Sequence, residues 1–128
     1  MLVKQEHRDG CQSAVLAMLT GHSYAEIYSA WGEALVQGKI RMHEVAKYLD
    51  CTLVNAEDPD TVHVGVVSVL YVNSTYRDQL HAILVDTRSG ATIYDPVHGV
   101  RSELLAFVNR YTVWESEYLG VKDGSYCK

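Results

Sequence analysis

Residues 80–96, LHAILVDTRSGATIYDP, contain the pattern that decides the fold. Apolar and β-branched residues predict one strand over Leu80–Asp86 and another over Ala91–Tyr94. The intervening Arg88-Ser89-Gly90 is typical of a tight turn between paired strands. We therefore expect an antiparallel hairpin here, and we expect the other strands of the sheet to pair on either side of it.

The sequence around this hairpin divides into a helical half and a strand half. Apolar spacing and one capping box predict helices over Cys11–Leu19, Ser23–Leu35 and Met42–Leu49. β-Branched runs predict further strands over Val64–Val72 and Tyr111–Leu119, and Ser102 is expected to cap a short helix through Val108. Helices followed by mostly antiparallel strands are typical of the α+β class. We expect a single domain over residues 1–128, with amino-terminal helices packed on a carboxyl-terminal sheet.

The composition excludes several classes of protein. The chain has 128 residues, 48% of them hydrophobic and 21% charged, which is ordinary for a globular domain. Its 11 basic and 16 acidic residues give a net charge of −5, which argues against a nucleic-acid-binding surface. Neither a run of about 20 apolar residues nor a signal-peptide pattern occurs. These observations predict a cytoplasmic protein without membrane contact, and they leave the oligomeric state open.

The cysteines and histidines predict neither a disulfide framework nor a metal site. Cys11, Cys51 and Cys127 are odd in number and widely spaced, so we expect reduced thiols, with Cys51 in the core and Cys127 near a mobile end. His43-Glu44 begins like a zinc-peptidase motif, but Lys47 stands where the second histidine is needed. The sequence therefore indicates no cofactor.

His81 and Asp95 lie on the two strands of the predicted hairpin. A histidine within an apolar strand needs a partner for its ring nitrogens. A turn centred on Arg88 places His81 directly opposite Asp95, whereas a turn centred on Ser89 makes them diagonal neighbours on the same face. Either register lets the carboxylate reach the imidazole. A satisfied core histidine is the structural alternative.

Cys11 is the candidate nucleophile because it opens the first helix. Unpaired amides and the helix dipole at that end favour a thiolate. Gln5, six residues earlier, could donate to the same oxygen as the Cys11 backbone amide, which would make an oxyanion hole. The alternatives are a small buried cysteine and an exposed polar residue near a terminus.

One set of four residues resembles the catalytic set of the papain-like cysteine peptidases, and more narrowly that of the bacteriocin-processing peptidase domains and their stand-alone relatives. The four residues are Cys11, His81, Asp95 and Gln5. The segments that carry the resemblance are Gln5, Asp9-Gly10-Cys11-Gln12-Ser13-Ala14, Leu80-His81-Ala82-Ile83-Leu84-Val85 and Tyr94-Asp95-Pro96. The order of helices and strands also matches, so the resemblance covers nearly the whole chain. It implies a papain-like fold in which Cys11 is the nucleophile, His81 the base, Asp95 the orienting residue and Gln5 the oxyanion donor. In the family a glycine usually follows the cysteine, whereas here Gly10 precedes Cys11 and Gln12 follows it.

The resemblance implies a thiol hydrolase that cleaves a peptide or protein substrate at an amide bond. Two alternatives stay open at this point. The same residues could serve protein deamidation or acyl transfer, since all three reactions pass through an acyl-enzyme. A papain-like domain that binds a peptide or partner protein without catalysis is the other.

Overall fold

The computed structural model of the chain describes residues 2–54, 65–73, 80–101, 113–115 and 126–127. Its helices are α1 Cys11–Thr20, α2 Tyr24–Ile27, α3 Glu33–Val36 and α4 Met42–Tyr48, and a π-helical turn, Tyr28–Gly32, joins α2 to α3. Its strands are β1 Val67–Asn73, β2 Leu80–Asp86, β3 Thr92–Asp95, β4 Gly99–Arg101 and β5 Val113–Glu115.

α1 is the central helix of the apolar core. It begins after Gly10 and ends at Gly21, whose φ of 76° lets its N–H donate back to the Ala17 carbonyl oxygen. All its residues from Ser13 to Thr20 are buried, as expected for a helix with apolar residues on every side. The predicted start at Cys11 is confirmed.

The second predicted helix is present but is not continuous. Ser23 caps it as expected, because its hydroxyl accepts the Glu26 N–H at 3.1 Å. The π-helical turn then follows, and it sets the ring of Tyr28 against Gly32. A Cβ added at Gly32 would lie only 2.6 Å from that ring, so the glycine permits a close approach.

The sheet has the strand order β4-β3-β2-β1-β5, and each neighbouring pair among the described strands is antiparallel. One face packs on the helices, through core residues that include Val67, Val69, Ala82 and Leu84. The alternate residues of the same strands are also buried, among them Leu70, Ile83, Val85 and Ile93. The protein is therefore an α+β structure in which helices cover a mostly antiparallel sheet, as the sequence predicts.

Some predicted bounds differ from the structure. β4, Gly99–Arg101, is not predicted from the sequence. β1 begins at Val67 rather than Val64, and β3 is shifted by one residue. The predicted helix from Ser102 to Val108 lies outside the described residues, and only Val113–Glu115 of the predicted last strand lies inside them. No helix in the described part of the chain has the length and apolar character needed to cross a bilayer.

The prediction of three reduced cysteines is wrong. Cys51 and Cys127 form a disulfide with a Cα–Cα distance of 5.4 Å, although 76 residues separate them in the chain. Cys127 is also held by its N–H, which donates to the Leu19 carbonyl at 2.9 Å, so this end is anchored on α1. Two cysteines that are far apart in the chain and are brought together only by the fold have no spacing in the sequence that would predict their disulfide. Because disulfides are typical of oxidising compartments, this bond gives no support to the expected cytoplasmic location, which stays a prediction.

Candidate active site

The β2–β3 hairpin brings His81 and Asp95 together. Val85 lies opposite Ile93, so the turn is centred on Ser89 and the two residues are diagonal neighbours on one face. The His81 Nε2 and Asp95 Oδ1 atoms are 2.7 Å apart, with both residues buried. Of the two registers that the sequence allowed, the structure therefore has the diagonal one.

The turn after β3 fixes the orientation of the Asp95 carboxylate. Asp95 Oδ1 accepts the backbone N–H groups of Val97 at 2.9 Å and His98 at 3.1 Å as well as the contact with His81. Its Oδ2 is buried and has no hydrogen-bond partner among the described residues. Burial alone would raise the pKa of Asp95, but the hydrogen bonds from His81 and the two backbone amides lower it below its usual range. The carboxylate is therefore charged at neutral pH.

His81 is held in its protonated form by its neighbours. Burial acts to lower its pKa, since it disfavours the charged ring, but hydrogen bonds to Asp95 and to the Cys11 side chain outweigh it. The result is a pKa of about 9 for His81. Because Asp95 occupies Nε2, Nδ1 is the ring nitrogen left to face the Cys11 thiol.

Cys11 is the first residue of α1 and lies half-buried beside the core. Its backbone N–H belongs to the first helical turn, whose amides have no acceptor within the helix. It is also the free cysteine of the chain, because Cys51 and Cys127 are bonded to each other. A thiol at a helix start that interacts with a histidine side chain has the surroundings of a candidate nucleophile.

Gln5 lies beside this site, but its side chain points to the backbone of its own loop. Its Nε2 donates to the carbonyl oxygens of His7 at 2.9 Å and Arg8 at 3.0 Å, so both amide hydrogens are used. Its Oε1 is buried and has no hydrogen-bond partner in the part of the chain that the structure describes. The Gln5 backbone N–H binds the Pro96 carbonyl at 3.1 Å, which places this segment next to the turn that holds Asp95. In this state the amide of Gln5 is not available to an oxyanion, and its expected role stays a prediction.

Gln12 occupies the position where the resembled family usually has glycine. Its Oε1 accepts the Tyr71 hydroxyl at 3.1 Å, and its Nε2 lies 3.4 Å from the Leu35 carbonyl oxygen. The side chain therefore ties the first turn of α1 to β1 and α3. A glycine here would lack these contacts.

Sequence reasoning missed the residues that hold the loop before Cys11. The ring of the loop residue His7 stacks directly on Tyr28, with centroids 3.7 Å apart, and the Tyr24 ring lies beside both of them. The available signal was their spacing of four residues, which places two aromatic rings on the same side of a helix. Because the chain has nine tyrosines, the presence of Tyr24 and Tyr28 alone did not single them out.

The comparisons with known proteins add no family. No protein-family model matches the sequence, and no curated protein matches it. Within the described residues, no group of three or more histidine, cysteine or acidic side chains is placed to hold a metal ion. The geometry of Cys11, His81 and Asp95 is therefore the basis for assigning chemistry to the site.

Proposed function

We propose that the protein is a papain-like thiol hydrolase that cleaves an amide bond in a peptide or protein substrate. The observation that carries this proposal is the position of the buried His81 ring, which contacts the Asp95 carboxylate through Nε2 and the Cys11 side chain at the start of α1. A core histidine without a reactive role is satisfied by any polar partners for its two ring nitrogens. A ring placed between a carboxylate and a free thiol has the connections of a nucleophile, base and orienting residue.

The reaction follows from the proton positions at this site. In the reacting state His81 carries the proton, and the Cys11 sulfur attacks the carbonyl carbon of the substrate amide to form a C–S bond. His81 donates its proton to the leaving amine as the C–N bond breaks. Water then attacks the acyl-enzyme while His81 accepts one of its protons. The C–S bond breaks, and the thiolate–imidazolium pair is restored.

The negative charge on the substrate oxygen needs donors during both attacks. The Cys11 backbone N–H, at the start of α1, is the first of them. Gln5 is the second donor once its amide turns from the His7 and Arg8 carbonyls towards the substrate.

The present orientation of Gln5 favours a second candidate, a domain that binds a peptide or partner protein without cleaving it. Alkylation with iodoacetamide separates the two, because only thiolates react. Rapid labelling of Cys11 at pH 6 supports the hydrolase. Labelling no faster than that of an unfolded peptide thiol supports the binding domain.

The direct test compares the wild-type protein with Cys11→Ala on a peptide library, with mass spectrometry of the products. Cleavage shortens peptides, whereas deamidation preserves their length and converts an amide to an acid. We expect shortened peptides with the wild type and none with Cys11→Ala, while circular dichroism shows both proteins folded. Asp95→Asn should retain partial turnover, since Asp95 orients the base rather than reacting. Equal turnover by the wild type and Cys11→Ala would contradict the proposal.

A further inference from the structure

The loop Glu6–Gly10, which leads into Cys11, is attached to the second helical segment by the hydroxyl of Tyr24. Tyr24 is the first residue of α2 and is only 6% exposed. Its hydroxyl oxygen accepts the backbone N–H of His7 at 3.2 Å and lies 2.9 Å from Nδ1 of the same residue. Burial raises the pKa of Tyr24, while backbone hydrogen bonds from Glu6 and His7 act to lower it. One buried hydroxyl therefore binds both the backbone amide and the ring of His7.

The same hydroxyl touches the residue from which α1 starts. Gly10 is the N-cap of α1, and its carbonyl accepts the Ala14 N–H at 3.0 Å. A Cβ added at Gly10 would collide with the Tyr24 hydroxyl and would lie 3.0 Å from Cζ of that ring. A glycine before Cys11 is therefore required by the position of Tyr24.

Tyr28, one helical turn later, holds the same loop at two further points. Its ring is parallel to the His7 ring, with an interplanar angle of 2° and centroids 3.7 Å apart. Its hydroxyl donates to Asp9 Oδ1 at 2.9 Å. From the other side, Gln5 donates to the backbone carbonyl of His7. Among these anchors, Tyr24 is the buried one in contact with Gly10, the residue directly before Cys11.

We propose that Tyr24 is a positioning residue for the thiol chemistry, because its hydroxyl fixes the loop Glu6–Gly10 so that Cys11 faces His81. This proposal rests on the proposed function, since the position of Cys11 matters only if its sulfur reacts. A small displacement of a reacting group is enough to reduce a rate about 100-fold. Loss of the Tyr24 hydroxyl, which contacts the residue before Cys11, can therefore change the reactivity of Cys11 by shifting the start of α1.

The test measures the rate of alkylation of Cys11 by iodoacetamide at pH 6 and pH 8.5, under non-reducing conditions, by intact-protein mass spectrometry. An ordinary thiol with a pKa near 8.5 reacts about 160 times faster at pH 8.5 than at pH 6, because only the thiolate reacts. We expect the wild type to react at similar rates at both pH values. Tyr24→Phe should react at least about 10-fold more slowly than the wild type at pH 6, with a much smaller difference at pH 8.5.

Tyr48→Phe is the matched control, because it also removes a tyrosine hydroxyl from a helix but its side chain is 73% exposed. It should match the wild type at both pH values. If Tyr24→Phe also matches the wild type, the positioning role is refuted and the proposed function stands. If the wild type itself shows the steep dependence of an ordinary thiol, the proposed function is refuted, and the role of Tyr24 with it.

Gly10→Ala provides a second route to the same result, because it displaces the hydroxyl without removing it. It should lose reactivity at pH 6 as Tyr24→Phe does. Circular dichroism and thermal unfolding establish that each variant is folded. If neither variant folds, the hydroxyl is needed for folding as a whole, and the proposal of a positioning role is rejected.

Discussion

Reduction of the Cys51–Cys127 disulfide is expected to lower the free energy of unfolding by about 4 kcal/mol. The bond joins residues 76 positions apart, so reduction releases a long loop in the unfolded chain. The chain-entropy relation for a loop of this length gives about 4 kcal/mol at 25 °C. The folded state should change little, because Cys127 keeps its backbone hydrogen bond to Leu19 and Tyr126 keeps its ring under the Arg88 guanidinium.

The assay is urea unfolding followed by tryptophan fluorescence, with and without reductant. The Cys11→Ala variant is the suitable starting protein, because it has no free thiol to exchange with the disulfide. A loss of about 4 kcal/mol is a large part of the 5–15 kcal/mol typical of a domain, so the midpoint should move clearly.

Cys127→Ser in the same Cys11→Ala background is the matched control. It should be as unstable as the reduced protein and insensitive to reductant. A shift below about 1 kcal/mol on reduction would refute the loop-entropy reasoning. So would two titratable thiols in the native Cys11→Ala protein before reduction.

Two further predictions concern the site and the helix beside it. In Cys11→Ala, the free energy of unfolding should fall by up to about 3 kcal/mol between pH 6.5 and 9, because the folded state holds a proton on His81 that the unfolded state has released. This upper bound comes from the wild-type shift of the His81 pKa from 6.5 to about 9, at about 1.36 kcal/mol per pKa unit. Adding Asp95→Asn should abolish this fall between pH 6.5 and 9, and the urea-unfolding free energy should instead rise with pH below 6.5, because burial then lowers the pKa of His81. An unchanged fall would exclude Asp95 as its partner. Gly32→Ala should lose about 1–3 kcal/mol, because its Cβ meets the Tyr28 ring at 2.6 Å. Most of that loss should disappear in a Tyr28→Ala background, and thermal unfolding of the four proteins checks it.

The part of the site that the sequence predicted rests on short-range rules. The start of α1 at Cys11 follows from apolar spacing, and the contact between His81 and Asp95 follows from the alternation of side chains about a turn centred on Ser89. Both depend on residues that are close in sequence or on neighbouring strands. Local periodicity is sufficient to place such residues.

The features that the sequence did not predict depend on tertiary contacts. The disulfide joins Cys51, which follows α4, to Cys127, and nothing in the spacing of these two cysteines indicates the bond. The direction of the Gln5 amide depends on which carbonyls the loop presents, and those are fixed by Tyr24 and Tyr28. Such contacts appear only after the helices have packed.

The unpredicted turn between β3 and β4 explains how segments far apart in the chain meet at one site. Asp95 Oδ1 accepts the amides of Val97 and His98, and this pattern reverses the chain directly after β3. The same turn exposes the Pro96 carbonyl, which accepts the backbone N–H of Gln5. One short turn therefore orients the carboxylate behind His81 and anchors the segment that continues into Cys11. A change that opens this turn should therefore move both halves of the site at once, whereas Asp95→Asn leaves an Oδ1 acceptor for the two amides of the turn.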